Sequence, residues 1–193
     1  MSKLISCLIL FVALSAFAED IQILKMTTHG RKCRGQDVQL LQNGNAFSLL
    51  FNRFAIELNA GESTNGYAEV ETCVVTLDIR LPADRCLEQV DQVFSGGILK
   101  SSRSRGSLLI AYNIHGVYGQ ALKQWRLNNP INPEDADSIF SINFSKRPRP
   151  SCIKGRVRYT ALIIMEAFRY SLANDHFLSQ IDSNDAELFL RLR

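Results

Sequence analysis

Lys146, Arg147, Arg149, Lys154, Arg156 and Arg158 crowd one short segment of this chain, and no acidic residue stands among them. Clustered cations attract phosphates, anionic glycans or lipid headgroups, with an affinity that falls as salt rises. Pro148 and Pro150 keep the segment extended, and Cys152 would tether it. Lys100, Arg103 and Arg105 form a second basic group. On the same face as the first they would make one cationic surface. The plainer alternative is a solvated loop followed by outward positions of a strand, because edge strands carry Lys and Arg to block unwanted pairing. Trp125 is the single tryptophan, with Lys123 and Arg126 nearby. Its ring would either stack on a sugar or staple a loop to the core. These residues, Lys146, Arg147, Arg149, Lys154, Arg156, Arg158 and Trp125, are the candidate ligand-binding set.

Other chemistries find less support. Gly-x-Ser-x-Gly is absent, and Ser95-Gly96-Gly97 reads as a turn. His29, His115 and His176 are scattered, so a Ser-His-Asp site would have to assemble in space. His115, before Gly116, reads as a loop or edge histidine. Asp182, Asn184 and Asp185, and separately Glu134, Asp135 and Asp137, offer oxygen-rich turns to a hard cation such as Ca²⁺. Neither has EF-hand spacing, and Asp and Asn more commonly close turns through their own backbone. No metal site and no cofactor is expected. Asn143-Phe144-Ser145 has the form of a glycosylation sequon, relevant only in a secreting eukaryote.

The elements that must position these residues begin with a leader. Lys3 supplies a positive start, Leu4–Phe17 an apolar run, and Ala16-Phe17-Ala18 a small-x-small cleavage site. Residues 1–18 are therefore expected to be a signal peptide. The rest, 19–193, is long enough for one domain with a sizeable core and short for two. No transmembrane segment is expected once the leader is removed. Hydrophobic residues make up 46% and charged residues 21%, a balance that excludes disorder. The formal net charge of +3 is too mild to demand a nucleic-acid partner, and none is expected. Cys7 lies in the leader. Cys33, Cys73, Cys86 and Cys152 remain, an even set that reads as two disulfides in an exported chain. Spacing alone leaves all three pairings open.

The apolar pattern is mostly of period two, the signature of half-buried strands. Val38 and Leu40 begin a first strand, Asn43-Gly44-Asn45 turns, and Phe47 to Leu58 returns with a change of parity near Asn52–Arg53. In Val70–Leu81, Cys73, Val75, Leu77 and Ile79 share one face, and Pro82 ends the strand. Val90–Leu99 is expected to be broken at Gly96-Gly97, and Lys100–Arg105 to turn. Ser107–Ile114 is a strand, Gly116–Asp137 a long loop, and Ser138–Phe144 a short strand. Arg156–Tyr170 fits both a helical stripe and alternation, and strand is the better fit. Phe177–Ile181 and Ala186–Leu192 are expected to close as a hairpin across Asp182–Asp185. Strands of this number and length imply an all-β, antiparallel β-sandwich, jelly-roll-like and disulfide-bonded. A membrane β-barrel would need lipid-facing apolar residues on nearly every strand, which the irregular middle does not supply.

Taken in order, several segments resemble an exported family catalogued as domain of unknown function 4360. They are Gly30 to Cys33, Leu49–Phe54, Cys73–Ile79 closed by Leu81-Pro82, Asp91–Gly97, Leu109–Gly116, Leu162–Leu172, and Asp182–Asp185 with Leu188–Arg191. The resemblance implies a small secreted β-rich protein and no known activity. It also implies that Cys33 bonds Cys73, which leaves Cys86 with Cys152. Family members often finish with a Cys after a Trp-Arg-like segment, which this sequence lacks, and Cys86 is then the substitute partner.

The leading functional expectation is an exported, secreted or periplasmic, non-enzymatic β-sandwich. It would bind anionic envelope or extracellular polymers, such as an anionic glycan, through a basic surface. The alternatives are an extracellular hydrolase of polysaccharides or esters, and a structural surface or coat protein.

Overall fold

The computed structural model describes residues 20–52, 54–61, 67–101, 103–114, 117–125, 139–147, 152–171 and 175–193. For some strand residues, Trp125 and Asp182–Asp185 among them, only the backbone is described. The expected leader, His115, Arg149 and the Glu134–Asp137 turn lie outside the described residues.

Among the described residues, eleven strands form two antiparallel sheets. One has the order β1 (Gln22–His29), β5 (Ala68–Arg80), β10 (Arg156–Arg169), β7 (Ser104–Ile114), β8 (Val117–Trp125). The other has the order β2 (Val38–Asn43), β3 (Ala46–Phe51), β11 (Phe177–Leu192), β6 (Leu87–Lys100), β9 (Ile139–Lys146). β4 (Ala55–Leu58) lies beyond β3 along the same edge of β11. From β4 onward the four-strand rows β4-β11-β6-β9 and β5-β10-β7-β8 face each other. That connectivity is the jelly roll, as expected.

Alternation explains the core. Cys73, Val75, Leu77 and Ile79 of β5 lie across from Ile163, Ala161, Tyr159 and Val157 of β10, all buried. Phe47, Leu49, Phe94, Leu188 and Leu190 answer from the second sheet. Each large apolar side chain taken wholly from water contributes about 1.5–3 kcal/mol. Pairing along both edges settles Arg156–Arg169 as strand: β5 hydrogen-bonds it on one side and β7 on the other, and only its inward face is buried.

Three expectations are corrected, and one strand is added. Gly96-Gly97 does not break β6, because β11 and β9 pair with it through both glycines. Phe177–Leu192 is one strand rather than a hairpin. Its halves both pair with β6, and Asp182–Asp185 is an insertion between Ile181 and Ala186. The stretch expected as a long loop from Gly116 contains β8, paired to β7 from Val117 to Trp125. β1 was not anticipated. It is an edge strand with a register shift between Ile23 and Lys25, which breaks the alternation.

Both disulfides join the pairs implied by the family resemblance, Cys33–Cys73 and Cys86–Cys152. Gly30 makes the first one possible. Its φ is 151°, and a Cβ there would collide with the Thr72 carbonyl oxygen. The segment after β1 therefore passes close over β5 and delivers Cys33 into the core.

Candidate functional site

One end of the sandwich is tied by four connections. The Leu81 N–H donates to the Gly155 carbonyl at 2.8 Å, and the Leu87 N–H to the Ile153 carbonyl at 2.8 Å. Cys86 and Arg193 exchange backbone hydrogen bonds at 3.0 and 2.9 Å, and Cys86 is disulfide-bonded to Cys152. The segment from Cys152 to Gly155 thus crosses from one sheet to the other on fixed backbone. Gly155, at φ 77°, turns the chain between Lys154 and Arg156 so that both side chains are exposed.

Around this knot the candidate cations are arranged as follows. Lys146 ends β9 opposite Val90, and Arg147 follows it; both are exposed. Lys154 is exposed beside Ile153, and Arg156 and Arg158 open β10 on its outward side. Sequence reasoning missed three more. Arg80 lies directly across from Arg156, Arg85 precedes Cys86, and Arg193 pairs with Cys86. For Arg85 alone there is a signal, the Cys86–Cys152 pairing that the family resemblance implies, which ties its neighbour to the segment carrying Lys154. Asp84 and Glu88 stand beside Arg85–Leu87 in the sequence, and Asp91, across from Ser145 on β9, is ion-paired with Arg191 at 2.6 Å.

Two of the cations are partly neutralised. Arg158 Nε donates to Asp78 Oδ1 at 2.8 Å and Arg156 Nη2 to Asp78 Oδ2 at 3.1 Å. Both guanidinium groups are mostly exposed and cover the carboxylate. The hydrogen bond from Arg158 is the main cause that holds the Asp78 carboxyl below the usual carboxylate range, against the opposing effect of burial. Among the described residues, Arg80, Arg85, Lys146, Arg147, Lys154 and Arg193 have no ion-pair partner.

The second basic group does not join the first. Lys100, Arg103 and Arg105 lie at the opposite end, where β6 passes to β7. Lys100 is buried, and its ammonium donates to the Ser101 and Ser104 carbonyls at 3.0 and 3.2 Å. Burial pushes its pKa down. Trp125 is also at that end, opposite Gly106, which pairs with Ala167. Ala167 and Arg156 are eleven positions apart on β10, roughly 35 Å at about 3.3 Å per residue. Trp125 and the basic segment therefore cannot belong to one small site.

His29 ends β1 on an exposed position, and His176 precedes β11 with its N–H donated to Ser101 Oγ at 3.3 Å. Among the described residues no cluster of three His, Cys, Asp or Glu side chains is placed to hold a metal ion. No described helix is long and apolar enough to cross a membrane.

No model of a known protein family matches this sequence, and no curated protein matches it. Among solved structures, it is similar to that of TmCBM61 in complex with beta-1,4-galactotriose. The likeness covers 89% of this chain and 91% of that one, at 10% sequence identity and a TM-score of 0.36. It carries no argument about what this chain binds.

Proposed function

We propose that this protein is an exported, non-enzymatic binding protein that holds an anionic extracellular or envelope polymer at the basic end of its jelly roll. The observation that carries this reading is the convergence of Arg80, Arg85, Lys146, Arg147 and Lys154 on one disulfide-tied knot, with no ion-pair partner among the described residues. A fixed backbone lowers the ordering cost of binding. Unpaired cations grouped on one surface raise the local concentration of a polyanion. Export, and the resemblance to family 4360, belong to the same proposal. They are supported by the leader residues and by two disulfides of the kind that persist in oxidising compartments. No observation among the described residues favours the hydrolase or coat-protein reading over this one.

The test is binding of the full chain to isolated cell envelope, to a sulfated glycan and to a polyuronate across a salt series. Binding should fall steeply with salt. The triple charge reversal Lys146→Glu, Arg147→Glu, Lys154→Glu should weaken it by at least about tenfold at low salt. Binding to the sulfated glycan or the polyuronate that is insensitive to salt, or that survives the reversal, would remove the proposal.

A further inference from the structure

At the far end of β10, the outward surface of the β1-β5-β10-β7-β8 sheet holds a concavity of about 610 Å³. That lies within the roughly 300–1,000 Å³ typical of ligand pockets. Two register rows line it. One runs Val70, Glu166, Ser107, Gln124 across four strands, and the other runs Ala68, Phe168, Arg105 across three. The lining is apolar at Val70, which is 57% exposed, and aromatic at Phe168. The Phe168 ring meets Tyr170 edge-on at 4.9 Å between centroids, and the Arg105 guanidinium sits 4.9 Å from the same ring centre. Ser107 Oγ donates to Glu166 Oε2 at 3.1 Å, and Gln124 is exposed on edge strand β8. Tyr67, whose carbonyl accepts from the Arg169 N–H at 2.8 Å, and Tyr170 are about half-exposed nearby.

We propose that this concavity binds a segment of a neutral oligosaccharide. A sugar ring has an apolar C–H face and hydroxyl groups around its edge. Val70 and Phe168 offer the first an apolar and aromatic surface. Arg105, Gln124, Ser107 and Glu166 offer the second donors and acceptors side by side. Charge in the concavity is balanced. Arg105 stands with Glu166, and Glu69 in the wall is already engaged by Arg31 at 2.7 Å and by Lys32 at 3.4 Å. An anionic ligand would gain nothing from that balance. A wholly apolar ligand would take the Arg105 guanidinium, the Gln124 amide and the charged Glu166 carboxylate from water, with only the Ser107 hydroxyl bonded to that carboxylate, which is costly. The site rests on side chains projecting from paired strands, so it is held in place before a ligand arrives. It is independent of the basic end.

Affinity electrophoresis of the full chain in gels containing a β-glucan, a galactan, a mannan or a xylan tests this, at low and high salt. At least one polymer should retard the protein, and salt should not change the retardation. Phe168→Ala should weaken binding by about tenfold. Gln124→Ala should weaken it several-fold with no change in melting temperature, since its side chain is exposed, so a misfolded Phe168 variant would not leave the question open. The basic-end triple reversal should bind the sugar normally. The proposal is overturned if none of the four polymers retards the protein, if salt releases it, or if Gln124→Ala binds like the parent.

Discussion

Asp78 shows how one carboxylate shapes the basic end. It lies beneath two guanidinium groups and offsets the like-charge pair of Arg80 and Arg156 directly across the β5–β10 ladder. Its folded pKa is depressed below the ordinary value of 3.8, chiefly by the hydrogen bond from Arg158. Between the depressed and ordinary values the unfolded chain binds more protons, so the contribution is present above the unfolded pKa and lost as pH falls through the folded one. Asp78→Asn should therefore flatten the fall of melting temperature below about pH 4. It should also tighten polyanion binding at low salt, because two arginines lose their counter-charge. Tyr112 behaves in the opposite direction. Burial first, and the Asp91 charge second, push its pKa up to about 12. A raised pKa contributes stability below the unfolded value of 10.0, and that stability is lost as pH rises from there towards 12. Its hydroxyl has no hydrogen-bond partner among the described residues. Tyr112→Phe should thus leave melting at pH 7 unchanged or higher, and flatten the alkaline limb of the melting profile.

The two disulfides differ in the elements they join, and this difference is testable. Cys33 and Cys73 are both fully buried, the first on the segment after β1 and the second in central strand β5. Cys86 is 7% exposed, and Cys152 is on the surface of the basic knot. A thiolate must reach a sulfur to attack it. Mild reduction of the native protein should open Cys86–Cys152 first, with Cys33–Cys73 following only on unfolding; alkylation and peptide mapping would show the order. Recovery of the core pair as the first product would contradict the burial. The strands themselves were legible to different degrees. Central strands such as β5 and β10 carry continuous alternation over their length, and the shared face of Cys73, Val75, Leu77 and Ile79 is the buried one. β1 and β8 are not legible in this way, because β1 buries none of its side chains fully and β8 presents Tyr118, Gln120, Leu122 and Gln124 to solvent. Gly96-Gly97 and Asp182–Asp185 misled because their local propensity for turns is real. Ladder pairing on both sides of β6 outweighs it in the first case, and an insertion in β11 accommodates it in the second.

Across the whole molecule the two ends differ in chemistry. One presents cations that, Arg156 and Arg158 apart, have no ion-pair partner among the described residues, on a disulfide-tied knot; the other has a buried Lys100 and Arg169 and the charge-balanced concavity. A ligand that binds only the folded state stabilises it by mass action. A sulfated glycan at a hundred-fold excess over its Kd should contribute about 2.7 kcal/mol. That corresponds to a rise of roughly 5–10 °C in melting temperature for a chain of this size. Calorimetry at low and high salt would show it, and the rise should vanish at high salt. An unchanged melting temperature at low salt would count against the basic end as the binding surface.

Period-two alternation is a local consequence of strand stereochemistry, so the all-β class, the inward faces of β5 and β10, the turn at Asn43-Gly44 and the stop at Pro82 could be read from residues a few positions apart. Strand order, and which charges meet, depend on burying both sheets against each other, and that is decided between remote segments. Arg80 faces Arg156, Cys86 reaches Cys152, and Trp125 stands at the opposite end from Lys154 because the jelly-roll registers place them there. No spacing along the chain encodes those distances; they arise when the two apolar faces close on one core.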